Sequence, residues 1–128
     1  MNRENIKRVR DHIAGLPPER LWMERFLSAG HSVADVNWTA GRLLKDCGTC
    51  GCIAGWTAAI FAPRVKCGGV EARAAESLGI PEEDASALFY PELSNHMLWG
   101  DIGPAHAVRV LDHLLETGKV DWSVAGEP

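Results

Sequence analysis

Apolar residues return every three or four positions through most of this chain, and the polar residues between them divide it into helices. Ile6, Val9, Ile13 and Leu16 keep that step while Arg3, Lys7 and Arg10 mark another face, which predicts a first helix stopped by Pro17-Pro18. The basic stripe reads as a solvated helix face. Leu21, Trp22, Arg25, Phe26 and Ala29 continue the rhythm, so a second helix is expected from Pro18 to Ala29, with Gly30 as its stop. Ser32 with Asp35 three residues on resembles a capping box and opens an expected third helix carrying Val33, Val36, Ala40 and Leu43. Trp38 falls off that stripe and is read as packed by a neighbouring element.

Residues 53–62 are apolar nearly all round, with Thr49 as a candidate N-cap before them and Pro63 after them. A helix without a polar face belongs in the interior, and Ala54, Gly55, Ala58 and Ala59 are small enough to let neighbours approach closely. Past a loop at Lys66-Cys67-Gly68-Gly69, a short helix carries Val70, Ala74, Ala75 and Leu78 and stops at Gly79. Pro81 and the acids Glu82, Glu83 and Asp84 fit a helix first turn; Ala85, Leu88 and Phe89 face inward and Pro91 closes the element. The last helix runs from about Pro104 to Thr117, burying Val108, Leu111 and Leu115 and exposing His106, Arg109, His113 and Glu116, with Gly118 as its stop. The tail from about residue 119 holds Trp122 and little else, and is expected to be loosely ordered. No strand, repeat or long linker stands out. The pattern therefore predicts an all-α fold: residues 1–128 as one compact helical bundle around a buried central helix at about 49–62.

Composition narrows the function classes. A chain of 128 residues can bury about two thirds of its unfolded surface, enough for a core without covalent staples. With 46% hydrophobic and 23% charged residues, it falls outside the disordered and fibrous classes. A net charge of −4 offers no general attraction for nucleic acid or acidic membranes, and neither is expected as a partner. The opening Met1-Asn2-Arg3-Glu4-Asn5 lacks the apolar run of a signal peptide, and no segment approaches the roughly 18 apolar residues of a membrane span. A cytoplasmic location follows as the expectation, and with it four cysteines that stay reduced.

Three of those cysteines fall in Asp46-Cys47-Gly48-Thr49-Cys50-Gly51-Cys52-Ile53-Ala54-Gly55-Trp56, and this segment carries the chemistry. Cys47 and Cys50 form a C-x-x-C pair at a helix start, where backbone N–H groups lower a thiol pKa. A thioredoxin-type redox site needs a preceding strand and a βαβ setting, which the pattern lacks. The all-helical peroxidase-related proteins with C-x-x-C place a histidine where this chain has Ile53. Cys47, Cys50, Cys52 and Cys67 supply four sulfurs, the number a tetrahedral zinc takes. Cys50 and Cys52 would however point about 200° apart on a continuous helix. Cys47 can also be read as a catalytic nucleophile, with His96 in Ser94-Asn95-His96-Met97 as the candidate base. The plainest reading is packing, since cysteine is a small, readily buried hydrophobe.

The segment resembles the Asp-Cys-Gly-x-x-Cys-Leu-Ala signature of bacteriocin-processing cysteine peptidases, which implies Cys47 as the nucleophile. Those enzymes carry their histidine on a β-strand, and no apolar strand flanks His96, His106 or His113. A fuller resemblance is to a group of small uncharacterised proteins of actinobacterial phages and bacteria, through Cys47, Gly48, Thr49, Cys52, Ile53, Ala54, Gly55, Trp56 and Thr57. It extends to Trp38, to Leu78-Gly79-Ile80 and to Leu88-Phe89, so it covers most of the chain. That resemblance implies that Cys47 and Cys52 are the pair that matters and that Cys50 is incidental; it brings no established activity. The expectation is a non-enzymatic, cytoplasmic accessory protein of phage or prophage type that acts through a protein partner and needs no cofactor. A thiol enzyme built on Cys47 and His96 is the rival, and a zinc protein using Cys47, Cys50, Cys52 and Cys67 is the second.

Overall fold

The computed structural model describes residues 1–29, 32–33, 38–46, 49–93 and 97–126, and the chain is mostly helical. Helix α1 spans Arg3–Ala14, and the Asn2 side chain accepts the Asn5 N–H at 3.1 Å as its cap. Ile6, Val9 and Ile13 are fully buried, as the spacing predicts. After helix α3, Ile53–Phe61, the expectation holds closely: α4 covers Val70–Leu78, α5 Glu82–Phe89 and α6 Pro104–Thr117. Gly79 and Gly118 end α4 and α6 at φ +64 and +75, the left-handed region where a side chain is strained.

One face on α6 is corrected. Pro104, Ala107, Val110, Leu111 and Leu114 are buried, while Val108 and Leu115 are only half-buried. The helix meets α1 on one side and the C-terminal turn on another, so two contacts set its inner face. On the α1 side Arg10 grips Asp112 with Nε to Oδ1 at 2.8 Å and Nη2 to Oδ2 at 3.2 Å. The tail is held by a 3-10 turn at Trp122–Ala125 in which Trp122 and Ala125 are buried. The Trp122 indole donates to the Ala87 carbonyl at 2.9 Å, and Arg109 donates to the Ala125 carbonyl at 2.6 Å.

Between α1 and α3 the expectation fails. No helix runs from Pro18 to Ala29: only Pro18–Arg20 makes a 3-10 turn, and Ser28–Ala29 is strand β1. Among the described residues the expected helix from Ser32 is also absent; Ser32–Val33 is strand β2, and α2 is the short Arg42–Lys45. Gly30, Asp35 and Val36 lie outside the described residues. Thr49 does not cap a helix but opens strand β3, Thr49–Cys50, and the next helix, α3, is Ile53–Phe61. The three strands, two residues each, pair antiparallel in the order β2-β1-β3, with Ser28 opposite Cys50.

The cause is lateral hydrogen bonding. Gly51 N–H donates to the Arg20 carbonyl, Trp22 N–H to the Gly51 carbonyl and Cys52 N–H to the Arg25 carbonyl, at 3.2, 2.9 and 2.9 Å. Backbone groups committed to a neighbouring segment cannot close helical turns, and Leu21, Met23, Leu27 and Ser28 are buried without a helical step. Helix α3 touches α1, α2, α4 and α5, and residues 53–59 are buried on every side.

Candidate functional site around the cysteine motif

Cys47 and Gly48, the first two motif positions, and His96, the candidate base, lie outside the described residues. The rest of the motif is well placed. Cys52 is the N-cap of α3: its backbone is extended, and Sγ accepts the Gly55 N–H at 3.5 Å. It therefore takes the position expected of Thr49, with sulfur in place of a hydroxyl oxygen. Cys52 is 1% exposed. Burial pushes its thiol up to about 11, the backbone N–H groups of Gly55 and Ala54 offset part of the rise, and the charge of Glu71 adds to it. Such a thiol is protonated at neutral pH and is neither a nucleophile nor a ready metal ligand.

Gly55 has no room for a side chain. A Cβ there would land on the carbonyl of Phe26, and one on Gly51 would come within 2.5 Å of the same oxygen. Gly55 was expected to admit a neighbouring helix; the neighbour is the extended backbone at Phe26, which explains why the motif needs glycine. Trp56 is 1% exposed and donates its indole N–H to the Arg20 carbonyl at 3.0 Å. The His12 ring stands 5.0 Å from it, centroid to centroid.

Arg20, which spacing does not single out, ties the motif's flank together. Its guanidinium donates to the Leu43 carbonyl at 2.5 Å, the Asp46 carbonyl at 3.2 Å and the Thr49 carbonyl at 3.0 Å, while lying 5.0 Å above the Trp56 ring. Thr49 adds its own hydroxyl bond to the Asp46 carbonyl at 2.5 Å. One cation thus satisfies the end of α2 and both described edges of the segment holding Cys47.

The remaining cysteines are spread apart. Cys50 sits in β3 at 4% exposure; burial raises its thiol pKa, and Ser28 and the Arg20 charge pull the other way. Cys67 opens a half-buried turn beside α4, and burial raises it too. Among the described residues no three His, Cys, Asp or Glu side chains gather in a way that could hold a metal ion. His106 is taken up at the start of its own helix, where Nδ1 accepts the Gly103 N–H at 2.9 Å.

Two surface features adjoin the motif. A recess of about 800 Å³ is lined by Trp38, Arg42, Leu44 and Pro63, with the Arg42 guanidinium 3.9 Å above the Trp38 ring. A smaller cleft of about 260 Å³ has Cys52 and Phe89 among its walls and Phe26, Tyr90 and Trp99 as its aromatic lining. The Tyr90 hydroxyl donates to the Glu71 carboxylate at 2.9 Å; burial first, then that carboxylate, push the phenol up to about 12. Phe26, Glu71 and Tyr90 carry no local signal in the sequence, because chain segments far apart bring them together. Among known proteins, no family model, curated protein or solved structure matches this chain.

Proposed function

We propose that this chain is a small, non-enzymatic accessory protein of phage or prophage type that works in the cytoplasm by binding another protein. Its helices, organised around α3, act as a scaffold that the cysteine motif locks. The observation that carries this reading is the role of Cys52, whose buried thiol caps α3 and is held far above the reactive range. The second strand of support is at the surface, where Leu98 is 70% and Leu44 50% exposed on a molecule that buries most of its other large apolar side chains. Single exposed leucines are ordinary, but Leu44 lies beside Trp38 in the larger recess, where aromatic, apolar and cationic groups meet as they do at interface centres.

The test is iodoacetamide labelling of each cysteine across pH, paired with native mass spectrometry. The expected result is an unmetallated mass, a Cys47 that labels as an ordinary thiol of pKa about 8.5, and a Cys52 that labels only when the protein unfolds. Fast labelling of Cys47 well below pH 8.5 would overturn the reading in favour of a thiol enzyme with His96 as its base. A bound zinc would overturn it in favour of a metal site on Cys47, Cys50, Cys52 and Cys67.

A further inference from the structure

The cleft lined by Phe26, Tyr90 and Trp99 gathers three aromatic rings around one small opening. Its three rings stand at angles to one another, Phe26 to Tyr90 at 71° and Tyr90 to Trp99 at 39°, with centroids 6.3 and 6.2 Å apart. Rings tilted this way do not stack face to face, which leaves part of a face open to a ligand, and each ring face carries the negative end of a quadrupole. Each of the three residues is anchored by a contact of its own. The Trp99 indole donates to the Pro91 carbonyl at 2.8 Å, Tyr90 donates to Glu71, and the Phe26 backbone is wedged against Gly51 and Gly55. The phenol bond to a carboxylate also places negative charge at the hydroxyl end of the Tyr90 ring. Glu24 and Arg25, of opposite charge, also line the cleft, and Glu71 adds a carboxylate through its bond to Tyr90. At about 260 Å³ the cleft is below the roughly 300 Å³ at which sites for drug-sized ligands begin, so it suits a single compact group.

From this geometry we infer that the Phe26–Tyr90–Trp99 cleft is a binding site for a quaternary ammonium group, held by ring faces and favoured by the Glu71 carboxylate bonded to the Tyr90 hydroxyl. The ligand chemistry is a methylated cation, large enough to touch three rings and too weakly hydrated to resist leaving water. The site is separate from the partner-binding reading and does not depend on it.

The experiment titrates the full chain with tetramethylammonium chloride, following the methyl proton resonance and Trp fluorescence, with neutral 3,3-dimethyl-1-butanol as the uncharged isostere. Saturable binding with an upfield methyl shift is expected, about tenfold tighter than the isostere. Tyr90→Leu removes one wall at a 40%-exposed position and should weaken binding by about tenfold. Glu71→Gln keeps the shape, loses the charge and should weaken it by a few fold. No saturation by roughly 50 mM cation, equal binding of the isostere, or unchanged affinity in Tyr90→Leu would each overturn the assignment. Choline and a peptide carrying trimethyllysine, run in parallel, tell a free small molecule from a modified protein side chain as the source of the group.

Discussion

Residues 70–125 and residues 16–52 are built on different physics. In the C-terminal stretch each helix closes its own hydrogen bonds, starts after a proline or glycine, and ends at a left-handed glycine or, for α5, at Tyr90. In the earlier stretch, backbone N–H and C=O groups at 20–25 are spent on residues 51 and 52, and the side chain of Arg20 satisfies carbonyls at 43, 46 and 49. Stability in the first case is distributed over apolar faces. In the second it depends on a few close backbone approaches, and point changes should expose that difference.

The sharpest break is Gly55→Ala. The added methyl would occupy the space of the Phe26 carbonyl, a backbone atom that cannot swing away, so either α3 or the 20–27 segment must move. We expect a loss of about 4 kcal/mol in urea unfolding, at the exceptional end for one substitution. Gly100→Ala, with nothing within 4 Å of its Cβ, serves as the control and should change stability by no more than about 0.5 kcal/mol. Equal small effects from both would mean that the 20–27 backbone does not pack on α3 as described.

A second break acts on the clamp. Arg20→Ala takes a donor from three carbonyls, of which that of Asp46 keeps Thr49, and uncovers Trp56, while Arg20→Lys keeps the charge but not the fork. The alanine variant should lose about 2–3 kcal/mol, and lysine should recover only part of it. Hydrogen exchange gives the finer reading: amides at 42–50 should speed up in Arg20→Ala while those of α4 and α6 keep their protection. Uniform acceleration across the chain would make Arg20 a generic core residue.

This contrast also explains what could be read from the sequence. Boundaries of α4, α5 and α6 follow from local signals: Gly79 and Gly118 as stops, Pro81 and Pro104 as starts, and an apolar step of three or four. The 18–29 segment has the same step, with Leu21, Arg25 and Phe26 in register, yet it is not helical because Gly51 and Cys52 compete for its backbone. No local pattern reports such competition. The motif was visible as a motif, and its glycine and tryptophan are buried as their types suggest. The capping role passed to Cys52 instead of Thr49 because β3 pairing with Ser28 holds Thr49 and Cys50 extended. Arg20 and Glu71 were invisible, since a charged residue in an exposed pattern carries no sign of a partner far along the chain.

The smallest expected effect lies where the two regions meet. His12 of α1 packs its ring on Trp56, and its buried Nε2 has no hydrogen-bond partner among the described residues. Burial lowers its pKa, and the charges of Arg20 and Arg8 lower it further. A histidine with a depressed folded pKa favours the folded state while neutral, so its contribution is intact above the unfolded value of about 6.5. Stability is lost as the pH falls below that value toward the lower folded pKa, because the unfolded chain takes up the proton first. His12→Phe keeps a ring against Trp56 and removes the titration. Urea midpoints measured from pH 7.5 to 5 should therefore fall more steeply for the natural chain than for His12→Phe. Parallel slopes would place the proton elsewhere and show that His12 keeps its ordinary affinity despite the buried nitrogen.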